Sequence, residues 1–136
     1  MSTLFIKCTL EDPTGEIDVK IIDRESFYHE GKHYSINTNL GNVAPQLSMK
    51  VNKSLHHKLS DEIYITLGNS KESKLGYIPD SYVKYLMPFY NHCEKKKEDI
   101  NEYLAVELFK IDPSIDGVGG ISIVISINEK VSVVHP

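Results

Sequence analysis

The sequence predicts a mainly β protein with one C-terminal helix, an α+β class, and three patterns predict it. Apolar and polar residues alternate on both sides of residues 12–15 and again through "ISIVISI" at 121–127, as in strands with one buried face. From Gln46 the chain breaks into short β-like pieces separated by polar residues, the texture of a small barrel or sandwich. Ile100, Leu104, Leu108 and Ile111 recur at spacings of three and four, which is helical.

In chain order, "LFIKCTLEDPTGEIDVKIIDR" reads as a β-hairpin whose turn is Asp12-Pro13-Thr14-Gly15. The connection "ESFYHEGKHYSINTNLGNVAP" is rich in Asn, Gly and His and is expected to be mostly loop, with one strand near residues 33–37. "QLSMKV", "SLHHKL", "DEIYITL" and "KLGYIPDSYVKYL" then read as four short strands. The helix is expected over residues 96–110, with Tyr103 beside its apolar stripe and the preceding "EKKKED" as its solvated first turns. There Glu98 and Asp99 suit the positive helix N-terminus. Asp112-Pro113 closes it and "DGVGG" loosens the chain. A C-terminal β-hairpin follows, with Ile121, Ile123, Ile125 and Ile127 on one face and a turn at residues 128–130.

At 136 residues the chain suits one domain, 1–136, able to bury a core without staples. Lys and Arg total 15 against 19 Asp and Glu, a net charge of −4, so the overall balance does not draw the protein to polyanions. Cys8 and Cys93 lack motif spacing, which favours reduced thiols in a cytosolic setting. No run reaches the roughly 20 apolar residues of a membrane span, and no signal-like pattern opens the chain. The expectation is a cytoplasmic protein without a membrane span.

The residues give no reason to expect a metal or other cofactor. His56 and His57 are adjacent, so on a strand they point to opposite faces. "GVGG" does not link a strand to a helix N-terminus, as a phosphate loop would. Cys93, beside His92, has the composition of a reactive thiol but is also a small packing residue. With no Ser, His or Asp in a recognisable catalytic context, the chain reads as non-enzymatic.

Gly76, Tyr77, Ile78, Pro79, Tyr82, Val83 and Leu86, with Asp80-Ser81 between them, resemble the closing segment of a Src homology 3 domain. Upstream, Leu47, Ser48 and Met49 are similar to that family's Leu-Ser-Phe-Lys segment, and "DEIYITLGNSKES" falls where it has an acid, paired tryptophans and a hairpin turn. The likeness spans about residues 34–86. This chain has no tryptophan; Tyr64 or Ile63 stands in the first position, and no acid lies between Thr38 and Met49. The resemblance implies a small Src homology 3-like barrel at 32–88, and the sequence patterns add structured flanks, a β-hairpin at 1–31 and a helix plus β-hairpin at 89–136.

It also implies a protein-interaction module, a scaffold or adaptor for a protein or peptide partner, that binds a proline-rich segment in an aromatic groove. Tyr82, Pro79, Tyr64 and Tyr34 would wall the groove, flat rings packing on a polyproline II ligand. Asp61 or Glu62 would meet a basic ligand residue. Tyr77 and Tyr85 read as packing. Tyrosine in a strand is also an ordinary half-buried sheet residue, and Pro79 also reads as a strand end.

A second resemblance starts from "LEDPTGEIDVKIIDRESFYHEGKHYSI". Asp12, Thr14, Gly15, Ile17 and Gly31 fit the shape of an oligonucleotide/oligosaccharide-binding fold. That likeness implies a partner of single-stranded nucleic acid, with bases stacked on aromatics and phosphates met by lysines. The two readings differ in salt response, because only nucleic-acid binding should weaken steeply as ionic strength rises.

Overall fold

The computed structural model describes residues 4–36, 45–53 and 61–127. It is built from three antiparallel three-stranded sheets and one long helix. The strands are β1 Phe5–Thr9, β2 Val19–Ile21, β3 Ser26–His29, β4 Lys32–Ser35, β5 Leu47–Asn52, β6 Glu62–Leu67, β7 Lys74–Tyr77, β8 Leu104–Ile111 and β9 Ile121–Ile127. Helix α1 is Asp80–Lys96, and α2 is a single turn, Ile100–Tyr103. The sheets run β1-β9-β8, β2-β3-β4 and β5-β6-β7. None of the helices among the described residues is long and apolar enough to cross a membrane.

β1 has the burial its alternation predicts, with Ile6 and Cys8 inside and Phe5, Lys7 and Thr9 outside. Its partner, however, is β9 and not β2: Ile6 pairs with Ile125 and Cys8 with Ile123. The expected N-terminal hairpin is therefore corrected. The turn exists, because the Gly15 N–H donates to Asp12 Oδ1 at 3.0 Å and the Ile17 N–H to Asp12 Oδ2 at 3.1 Å. The strands it separates join different sheets, since the isoleucine face of β9 offers β1 a longer apolar match than β2.

The stretch expected to be mostly loop holds a tight hairpin, β3 to β4, closed by Glu30 and Gly31 at φ 49° and 80°. Two successive positive φ values are the signature of a two-residue turn that suits strand twist. Phe27, fully buried, anchors this hairpin, and the buried His29 ties it to the third sheet through a 2.8 Å bond between Nε2 and the Lys74 carbonyl.

The third sheet contains three of the four short strands predicted from Gln46 onward; "SLHHKL" lies outside the described residues. One further expectation is overturned. The strand read over 74–86 is strand only as far as Tyr77, and Asp80–Lys96 is helix. Apart from an isolated bridge between Glu11 and Tyr77, no ladder joins the sheets, and they do not close into a barrel among the described residues. α1 carries Pro88 in its interior, a residue that costs a helix about 3 kcal/mol there. Burial of Val83, Leu86 and Cys93 at helical spacing outweighs that cost.

The helix expected over 96–110 is also overturned, because Leu104–Ile111 is strand β8. Its pairing with β9 shifts register between Leu108 and Lys110. Leu104, Val106 and Leu108 face the core as alternate strand residues, and the bulge then carries Ile111 to the same side. Spacings of two, two and three thus imitate a helical stripe. The isoleucine alternation of β9 holds, with Ile121, Ile123 and Ile125 fully buried. Both edges of β9 are taken, by β1 and β8; the expected second hairpin arm, beyond Ile127, lies outside the described residues.

One contiguous apolar cluster runs through all three sheets and α1, from Ile6 and Leu10 through Phe27, Met49, Ile63 and Leu86 to Ile125. Both cysteines are in it. Burial, then the neighbouring Glu11 charge, pushes the Cys8 thiol up to about 11, and burial, then Glu98, raises that of Cys93. The thiolate is the reactive form, and each unit of pKa removes about tenfold of it, so Cys8 is expected to react about a hundredfold more slowly with a disulfide reagent at pH 8 in the native chain than after unfolding in urea. Equal rates in the two states would contradict this burial.

Candidate functional site

Pro79 and Tyr82 meet in a cleft of about 710 Å³, and three separate chain segments build it. The first is the end of β1 and the residues after it, from Thr9 to Asp12. The second is the start of α1. The third is the Gly-rich turn before β9, including Asp116 and Val118.

Backbone bonding joins the first two segments. Glu11 and Tyr77 exchange hydrogen bonds, the Glu11 N–H donating to the Tyr77 carbonyl at 2.9 Å and the Tyr77 N–H to the Glu11 carbonyl at 2.7 Å. Gly76 is required for that approach, because a Cβ there would stand 2.7 Å from Leu10 Cβ. The chain then leaves the sheet. The Ile78 N–H makes one more bond, to the Ile63 carbonyl at 2.8 Å, and Pro79, with no N–H, caps α1 in an extended conformation at φ −57° and ψ 142°. Tyr82, half-buried, donates its N–H to the Pro79 carbonyl at 2.9 Å in the first helical turn, and both residues line the cleft.

The cleft lining also includes acids. Glu11 and Asp116 are exposed there, and Asp116 makes no capping bond to the turn it begins. Asp12 also lines the cleft, but its carboxylate is engaged in the turn, accepting from Gly15, Ile17 and the Thr14 hydroxyl. A second depression, of about 440 Å³, lies between residues 4–7 and the Tyr82 and Tyr85 side chains. Tyr82 belongs to both.

Of the residues expected to wall a groove, Pro79 and Tyr82 come together, and Tyr64, Tyr34 and Glu62 do not join them. Tyr64 is buried in β6, its ring 5.7 Å from that of Tyr77. Lys74 lies 4.8 Å over the Tyr64 ring and donates to the Tyr77 hydroxyl at 2.9 Å, a bond that raises the lysine's pKa. Tyr34 stacks on Phe27 at 5.6 Å in another sheet. Glu62 begins β6, half-buried, where its charge acts on Lys74. Tyr85, expected to be packing, is 56% exposed.

Glu11, Asp116 and Val118 were not legible as site residues. Asp12 had a local signal, its turn, but nothing in "DGVGG" shows that this segment returns to Pro79. Comparison of the chain with protein-family models, with curated proteins and with solved structures finds no match in any of the three.

Proposed function

We propose that the protein is a non-catalytic interaction module, a scaffold or adaptor, that takes a peptide segment of a partner protein into the cleft at Pro79 and Tyr82. The observation that carries this reading is the pairing of an aromatic and proline wall with a rim bearing Glu11 and Asp116. A flat ring beside a proline offers apolar contact to an aliphatic or proline side chain of the ligand, while the tyrosine hydroxyl reaches its free carbonyls. Carboxylates on the rim favour a ligand with Lys or Arg and disfavour a polyanion. The Src homology 3 resemblance, whose specific part is Gly76 to Leu86, adds the idea of a peptide ligand.

Proline- and arginine-containing nonapeptides are the first class to test, by isothermal titration of the whole chain. Tyr82→Ala is expected to weaken binding by about tenfold or more, equivalent to about 1.4 kcal/mol. Asp116→Lys, at an exposed position without a structural bond, is expected to weaken arginine-containing ligands, and Tyr28→Ala, on β3, to change nothing. Binding of single-stranded DNA with a steep salt dependence and no response to Tyr82→Ala would replace this reading with the nucleic-acid one.

A further inference from the structure

The two depressions that share Tyr82 follow one edge of β1. β1 is outermost in its sheet, with β9 on its other side. The Leu10 N–H donates to the Ile121 carbonyl on the β9 side, whereas Glu11 bonds Tyr77 on the opposite side. Backbone groups of successive strand residues project to alternate edges. The N–H and C=O groups of Phe5, Lys7 and Thr9 therefore project away from β9, the side on which Glu11 meets Tyr77. No described strand pairs with them there. β7 would continue along this edge, but the chain turns out of the sheet at Pro79, and α1 runs beside it instead, facing residues 4–7 with Tyr82 and Tyr85.

We propose that this slot between β1 and α1 receives an extended, basic segment of a partner protein as an added β-strand, in line with β7. The inference rests on the reading of the Pro79–Tyr82 cleft as a peptide site and specifies how the peptide is held. Edge groups that no described strand pairs supply main-chain hydrogen bonds, and alternate side chains of the ligand enter the flanking depressions. Phe5–Thr9 is long enough to pair with about five ligand residues, roughly 17 Å of strand. An aliphatic side chain suits the depression at Tyr82 and Tyr85. A Lys or Arg suits the end where Glu11 and Asp116 stand. Lys7, 4.4 Å over the Phe109 ring, and Lys84, 5.2 Å over that of Tyr85, keep their charge, so the basic ligand residue belongs at the Glu11 and Asp116 end and not beside them. An extended ligand also differs from a polyproline II ligand, which has no strand of N–H groups to offer.

The probe is an acetylated nonapeptide of alternating valine and lysine, titrated into the 15N-labelled full chain. Expected are shift changes and slowed hydrogen exchange at the Phe5, Lys7 and Thr9 amides, and at least tenfold weaker binding to Tyr82→Ala. N-methylation of one alternate set of peptide residues should abolish binding, and methylation of the other set should leave it. If both methylated peptides bind alike and Tyr82 still matters, strand addition falls and the cleft reading stands. The same holds if only the proline- and arginine-containing peptides bind. If no peptide binds in a Tyr82-dependent way, both fall. Slow exchange of these three amides in the free chain, whether monomer or dimer, would mean that its own tail or a second copy holds the edge, and would overturn the proposal.

Discussion

Replacing Gly120 with alanine should lower stability by about 3 kcal/mol, at the upper end of the usual cost of overpacking a filled interior. Gly120 is buried at the point where the Gly-rich turn enters β9, and its carbonyl accepts from the Asp112 N–H at 2.7 Å. A Cβ there would stand 2.7 Å from the Asp112 carbonyl oxygen and 2.8 Å from that of Ile115, and would collide with the Ile21 side chain. Ile21 can rotate away; the carbonyls cannot, because the Asp112 turn is closed by its own bonds from Ile115 and Ser114. Gly119 is the matched control, since a Cβ there meets only Ile115 Cγ2 at 3.5 Å, an ordinary contact. Urea unfolding should therefore show a large loss for Gly120→Ala and a small change for Gly119→Ala. Equal losses would show that turn flexibility, not close packing, sets the requirement. The same turn lines the Pro79–Tyr82 cleft, so Gly120→Ala should also weaken peptide binding.

The second large effect is expected at Asn101, whose side-chain amide replaces a neighbouring strand. Asn101 Oδ1 accepts from the Met49 N–H at 2.7 Å, and Nδ2 donates to the Met49 carbonyl at 3.1 Å. Met49 is almost fully buried on β5, and β6 pairs on the opposite edge, so water does not easily replace the amide. Asp99 holds the amide in place, accepting from Asn101 Nδ2 at 2.8 Å and from its N–H at 2.9 Å. Asn101→Ala leaves two buried backbone groups without partners, at about 1–3 kcal/mol each, so a loss of about 3 kcal/mol is expected in thermal or urea unfolding. Asn101→Asp should not rescue it at neutral pH, because a carboxylate can accept from the Met49 N–H but opposes the Met49 carbonyl and Asp99. Full stability in Asn101→Asp would exclude the donor bond as a contributor.

Both sites show where sequence patterns lose their meaning. Gly120 and Asn101 are unremarkable in the chain, and each matters because of a residue that a distant turn or strand brings to it. The same holds for β8, where Val106 was the sign of a strand. A bulge moved Ile111 into line, so that Leu104, Leu108 and Ile111 carried a helical period inside a sheet. At α1, Pro88 argued against helix and the β-favouring Tyr82 and Tyr85 for strand, and burial of Val83, Leu86 and Cys93 against the core decided for helix.

What the sequence alone determined is whatever depends on near neighbours. The mainly β class, the strands β1 and β9 with their inward residues, the short strands β5, β6 and β7, and the Asp12 turn all follow from period-two alternation, short apolar runs and turn chemistry. The adjacency of Pro79 and Tyr82 does not, because the segment reads as strand and the turn that joins them belongs to helix α1. Only the tertiary structure decided which strands pair. It joined β1 to β9 across nearly the whole chain, parted Tyr34 and Tyr64 from Tyr82, and brought Glu11 and Asp116 to line one cleft with Pro79. The physical reason is that a strand's alternation specifies which face is buried but not which edge it meets; that choice is made by the total apolar surface covered when all the sheets and α1 pack together.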